Sequence, residues 1–329
     1  MTAVRLHIVS GKGGTGKSTV AAALALALAR DGKNVLLCEV EGRQGIAKMF
    51  DTNPLPYAET RVATGLRTPG GTPGSVYALH IDAESALLEY LKMYYKLGAA
   101  GRALDKFGVI EFATTIAPGV RDVLLTGKIY EAVERNSRNK GARTYDAIVM
   151  DAPPTGRITQ FLNVSESVAG LAKVGPVKNQ ADTMTRLFRS PQTAVHLVTL
   201  LEEMPVQETA DGVAELAASH LPVGSIIVNQ VRAGVLPTDC LPDALAGTLD
   251  RDAIAADLKS AGIEASETLL DTLLQDGQAY AERNALETEQ AKLVRMIGRP
   301  TYDIDFIPGG IDVDELYDIA AELVKQGLA

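Results

Sequence analysis

Seven short, mostly apolar runs punctuate the chain, at residues 4–9, 34–40, 76–82, 145–151, 193–200, 223–229 and 302–307. Between them lie longer stretches whose apolar positions recur at helical spacing, so the pattern predicts strands alternating with helices. The runs are apolar on both faces rather than alternating. That fits an α/β fold with a mostly parallel central sheet flanked by helices, whose ligands sit at the carboxyl ends of the strands.

The first helix is expected at residues 20–30, which contain no Gly or Pro and end at Asp31-Gly32, a helix-stop signal. Two intervals exceed what a simple crossover needs, at about 83–140 and 163–190. They predict a helical subdomain inserted into a single domain spanning 1–329, with helices at 83–97, 102–115 and 120–136. In the first of these, Leu87, Leu88, Leu91, Tyr94 and Tyr95 form an apolar stripe, which serves either as core or as a groove for a partner. Residues 231–264 read as a polar connection carrying Pro237 and Pro242, and 266–297 as one or two long helices. The last helix, 313–325, starts at Asp312 with Glu315 three residues on, a reciprocal capping pair.

Charge and composition narrow the class. A formal net charge of −9 lacks the surplus of Lys and Arg that broad nucleic-acid affinity requires. The two cysteines, Cys38 and Cys240, are far apart and support neither a disulfide framework nor a CxxC metal site, which suits a reducing compartment. No leader-like or bilayer-length apolar stretch is present, so the expectation is a soluble cytoplasmic protein with no stable membrane insertion.

The chemistry centres on residues 11–19, Gly-Lys-Gly-Gly-Thr-Gly-Lys-Ser-Thr, placed between the first strand and the first helix. Gly11, Gly16, Lys17 and Ser18 fill the fixed places of G-x-x-x-x-G-K-[ST]. In that pattern backbone N–H groups cradle phosphates, the lysine reaches the β/γ oxygens and the hydroxyl takes Mg²⁺. The ATP-binding set is therefore Gly11, Gly13, Gly14, Thr15, Gly16, Lys17, Ser18 and Thr19, with ATP and Mg²⁺ as cofactors. Asp151, ending the run 147–150, supplies the strand-end carboxylate that such a site needs for the metal's hydration shell. The turn 151–156, Asp-Ala-Pro-Pro-Thr-Gly, lies where a γ-phosphate would be sensed.

A second lysine, Lys12, follows the first glycine, and here the chain resembles the deviant-Walker ATPases, in which this lysine crosses a dimer interface. The resemblance implies that Lys12 acts in trans on charge developing in phosphoryl transfer. Within that class the chain is similar to the arsenite-pump and guided-entry ATPase family. Residues 151–162, D-A-P-P-T-G-R-I-T-Q-F-L, resemble its D-T-A-P-T-G-H-T-x-R-x-L, while Ala117-Pro-Gly119 and Ile226-Ile-Val-Asn-Gln230 resemble its A-P-G and I-V-N-Q segments. The likeness implies that Asn229 reads the adenine, Pro308 lines the base pocket and Glu41 stands where the family's aspartate polarises water. It also implies a homodimer, or a heterodimer with a related ATPase, acting on a protein client.

Three departures qualify this. Glutamate replaces aspartate at residue 41, no cysteine cluster offers a metalloid its soft ligands, and no CxxC between 231 and 264 offers a zinc site. The second departure argues against an arsenite-pump subunit. The expectation is a Mg²⁺-dependent ATPase, converting ATP and water to ADP and phosphate, that binds or targets a partner under nucleotide control. The alternative is a catalytically weak regulatory subunit paired with a related chain that carries the aspartate.

Overall fold

The computed structural model describes residues 4–40, 44–95, 118–135, 142–169 and 176–329. The helix expected at 102–115 and Glu41 lie outside the described residues. The described strands form one eight-stranded sheet in the order β3-β4-β2-β5-β1-β6-β7-β8. These are β1 Leu6–Gly11, β2 Asn34–Glu39, β3 Thr60–Thr64, β4 Ser75–His80, β5 Ala147–Asp151, β6 Thr193–Thr199, β7 Val223–Val231 and β8 Thr301–Asp305. Every pairing is parallel except β3 with β4.

β3 is the strand that the pattern does not reveal. It is an antiparallel edge strand whose residues are partly exposed, with a register shift between Arg61 and Ala63. An edge strand buries too little to need a long apolar run, so its signal in sequence is weak.

Helix α1, Lys17–Leu28, occupies the centre of one sheet face, and residues 20–27 are wholly buried. An alanine-leucine helix without a polar face is stable only when covered all round. The sheet supplies one side through Val9, Leu37, Val149, Val198 and Ile227, and the C-terminal helix α12, Val313–Gln326, supplies the other through Leu316, Ile319, Ala320 and Leu323. The short α2, Gly45–Met49, closes the flank. α12 begins with the expected capping box of Asp312 and Glu315. At its far end Gln326 clips the edge strand β8, its Oε1 accepting from the Asp303 N–H at 3.0 Å and its Nε2 donating to the Asp303 carbonyl at 2.7 Å.

The opposite face carries α4 Pro118–Glu134, α5 Thr155–Leu162, α6 Val164–Ala169, α7 Pro176–Phe188 and α8 Glu203–Ala218. Ile129, Val133, Phe161, Met184, Phe188 and Leu216 meet Leu6, Ile8, Ile148 and Leu197 of the sheet. α3, Ala83–Tyr95, rests on α4 in a small cluster of Ala86, Leu87 and Leu124, with Leu88 against it. Leu91, Tyr94 and Tyr95 of the expected stripe are outside the described side chains.

Residues 231–264 are not simply a polar connection. They contain α9 Leu241–Ala246 and α10 Arg251–Ser260, which pack on the single long helix α11 Glu267–Met296. α10 buries none of its residues, so no apolar stripe marks it. Polar contacts hold it instead. Asp250 caps Asp252 N and Ala253 N at 2.9 and 3.0 Å, and Arg251 pairs with Glu267 and Asp271, each at 2.6 Å.

Two buried histidines bridge the central strands. His196 Nδ1 accepts from the Ser225 N–H at 3.2 Å, so its proton is on Nε2, which donates to His7 Nδ1 at 3.1 Å. That leaves His7 protonated on Nε2, facing the Val4 carbonyl. Burial pushes His7 down to about 4 and His196 to about 3, so both stay neutral in the fold. The unfolded chain, with ordinary histidines, takes up protons first as pH falls below about 6.5. The stability held by this pair is therefore complete above that pH and is lost progressively toward pH 4. Urea unfolding between pH 7 and 4.5 should show stability falling by up to about 2.7 kcal/mol per pH unit from these two sites. The double variant His7→Leu/His196→Leu should have a shallower slope.

Candidate nucleotide-binding site

The loop between β1 and α1 is shaped by close approaches that only glycine allows. At Gly16, which has φ 87°, a Cβ would lie 2.3 Å from Asn229 Nδ2. At Gly11 it would lie 2.2 Å from the Val198 carbonyl oxygen of β6. Thr15 closes the crest, its N–H and hydroxyl both donating to the Lys12 carbonyl at 3.4 and 2.9 Å. Lys17 Nζ donates to the same carbonyl at 3.3 Å, so its charge lies against the loop it serves. Gly13 and Gly14 are exposed, and Thr19 sits in the first turn of α1.

Ser18 and Asp151 come together as the motif requires. Ser18 Oγ donates to Asp151 Oδ2 at 2.5 Å, joining the first turn of α1 to the buried carboxylate that ends β5. A hydroxyl oxygen and a carboxylate oxygen in contact are the donor set that a hard divalent cation prefers, so these residues fit Mg²⁺. The turn after Asp151 is tied to β1: Ala152 N donates to the Val9 carbonyl at 3.0 Å and Ser10 Oγ to the Pro153 carbonyl at 2.6 Å. α5 starts beyond it with Pro154 at its N-cap and no side-chain cap, and the buried Thr155 hydroxyl has no hydrogen-bond partner among the described residues.

Asn229 braces the loop from below. Its Nδ2 donates to the Thr15 carbonyl at 2.9 Å, and its Oδ1 accepts from the Gln230 N–H at 3.0 Å. It also lines a cavity of about 300 Å³ together with Leu200, Glu202, Arg232 and Arg283. Pro308 lines a neighbouring cavity of about 320 Å³ with Tyr280 and Phe306, and Arg232, Arg283 and Glu287 are common to both. The Arg232 guanidinium lies 5.2 Å from the centre of the Phe306 ring, an exposed aromatic face at the edge of the site. The long α11 forms this wall, which nothing in the motif spacing foretells.

Two acidic residues beside the loop escaped the sequence reading. Glu39 ends β2, in register with His80 on one side and Asp151 on the other. It is 3% exposed, and both carboxylate oxygens are used: Oε1 accepts from the Gly45 N–H at 2.7 Å and Oε2 from His80 Nδ1 at 3.1 Å. It thus ties the start of α2 to the sheet, across the segment that carries Glu41. Val40 follows Glu39, so the apolar run does not mark it as a strand-end charge. The second is Glu208 of α8, whose Oε1 lies 3.0 Å from Lys12 Nζ.

A glycine-rich loop between a buried strand and helix, with its serine held by the carboxylate of the adjacent strand, defines a P-loop nucleotide-binding protein. The family model described as anion-transporting ATPase matches residues 4–192, and the chain belongs to that family. The chain is 50% identical over 329 residues to ATPase BagA of Mycobacterium tuberculosis, covering 100% of this chain and 95% of the relative. It is 25% identical over 261 residues to ATPase GET3 of Kluyveromyces lactis, covering 69% of this chain and 72% of that protein. A third relative, ATPase get3 of Schizosaccharomyces japonicus, is 22% identical over 263 residues, covering 70% of this chain and 75% of its own.

The brace at Glu39 gives a stability test. Glu39→Ala leaves the Gly45 N–H unpaired beside a cavity and should cost about 2–4 kcal/mol in urea unfolding. Glu39→Gln, whose amide oxygen still accepts from Gly45, should cost less than half as much.

Proposed function

We propose that the chain is a Mg²⁺-dependent ATPase, converting ATP and water to ADP and phosphate, and that it works as a nucleotide-gated dimer acting on a protein partner in the cytoplasm. The observation that carries this reading is the 2.5 Å contact of Ser18 with Asp151 at the foot of the loop. Ser18 and Asp151 are the residues to hold Mg²⁺, which would neutralise phosphate charge when bound. The loop amides and Lys17 bind the β- and γ-phosphates, and the cavities at Asn229 and Pro308 take the base. Glu41 orients the attacking water, and Lys12 supplies positive charge across the dimer. α3, α4, α6 and α7 make up a helical subdomain that shifts as the segments after Glu41 and Asp151 respond to the γ-phosphate. The relation to proteins named GET3 supports a targeting role on a membrane-protein client. No helix among the described residues is long and apolar enough to cross a membrane.

Glutamate at residue 41 supports a second reading. Its extra methylene displaces the carboxylate by about a bond length, and a 1 Å misplacement can cost about a hundredfold in rate. The chain is then a nucleotide-holding regulatory subunit whose turnover depends on a related partner.

Steady-state phosphate release from ATP and Mg²⁺, with nucleotide binding measured on the same samples, separates the two. The first reading expects turnover that falls on the order of a hundredfold or more in Lys17→Ala. It also expects Glu41→Ala to bind ATP without turning it over. Tight ATP binding with no turnover in the parent chain would favour the second reading, and a rise in turnover in Glu41→Asp would support it further.

A further inference from the structure

The lysine that distinguishes this loop already has a partner within its own chain. Lys12 Nζ lies 3.0 Å from Glu208 Oε1, with the two side chains 27% and 39% exposed. Glu208 stands on a rigid support. α8 is anchored below it by Val206, buried against β7, and further along by Leu216 in the main core. One turn beyond Glu208, Gly212 faces the turn that follows Asp151, where a Cβ would lie 3.4 Å from Thr155 Cγ2. A single helix therefore touches the loop through Glu208 and the Asp151 turn through Gly212.

An ammonium paired with a carboxylate cannot present its full charge to a phosphate elsewhere until that pair opens. We propose that Glu208 is a positioning residue that latches Lys12 in cis and must release it before the lysine can reach a nucleotide held by a second copy of the chain. The exchange is downhill once the second copy arrives, since a triphosphate offers the lysine more negative charge than one carboxylate does. In the separate chain, the latch keeps the lysine's charge from the phosphates bound in its own loop. This rests on the reading above that Lys12 acts across a dimer.

The test is phosphate release from ATP and Mg²⁺ as a function of protein concentration, for the parent chain, Glu208→Gln, Lys12→Ala and the double variant. Binding of a fluorescent ATP analogue and sedimentation are followed on the same samples. An exposed pair of this kind is worth enough to shift an equilibrium about two- to fivefold. Glu208→Gln should therefore reach half-maximal turnover at about two- to fivefold lower protein concentration, with analogue affinity unchanged. In the Lys12→Ala background, where turnover is lost, the Glu208 change should leave the concentration dependence of sedimentation and the analogue affinity unchanged. Loss of turnover in Lys12→Ala with no shift, or a shift to higher concentration, in Glu208→Gln would overturn the latch while leaving the dimer reading intact. A shift in the concentration dependence of sedimentation caused by Glu208→Gln that persists without Lys12 would overturn it as well. Undiminished turnover in Lys12→Ala, or turnover per chain that does not vary with concentration in the parent, would remove the dimer reading and the latch with it.

Discussion

The position of every phosphate-side group depends on the burial of α1. Because residues 20–27 are wholly enclosed, the helix cannot tilt or slide without opening the core on both sides. Interiors are packed too closely for small displacements to be absorbed. The loop that enters α1 is held at its other end by β1, the innermost strand of the site, so its ends are fixed before any ligand arrives. Small alanine side chains bring the helix close to the sheet, which is what allows Ser18 to touch Asp151 on the neighbouring strand. The relation is one of scaffold to site: the apolar packing sets the distances, and the polar groups use them.

Around that loop the strand ends form a row of ionisable groups on one face, His80, Glu39 and Asp151 on β4, β2 and β5. Two carboxylates on adjacent strands would repel if left bare. Here Glu39 is satisfied by a backbone N–H and a histidine, and Asp151 by the Ser18 hydroxyl. The buried acids are thereby kept as fixed acceptors of defined direction, each committed to a different segment of the site. Lys12 and Lys17 differ in the same way. Both start from one short loop, yet one is turned inward on the Lys12 carbonyl and the other outward to α8.

Much of this was legible in the residues. The strand, loop and helix order of residues 4–30 could be read because glycine, lysine and apolar run each answer to a local requirement, and Asp151 stood out as a charge closing an apolar stretch. β3 could not, since an edge strand that shields little carries no long apolar signature. α10 could not either, because caps and ion pairs hold it and no apolar face shows in the pattern, although Asp250 ahead of it was a usable start signal. Glu39 reads as one more strand residue because Val40 follows it, and the pairing of Lys12 with Glu208 joins positions far apart in the chain. Contacts of that kind arise from topology, and no spacing in the sequence encodes them.

The clip of Gln326 on β8 has a meaning beyond the stability of α12. By giving an acceptor to the Asp303 N–H and a donor to its carbonyl, one amide side chain imitates the next strand and ends the sheet there. An unpaired edge offers a template on which a foreign strand can grow. The last turn of α12 thus works as a stopper: while it is docked, the edge groups of Asp303 that an extended polypeptide would need for pairing are already taken.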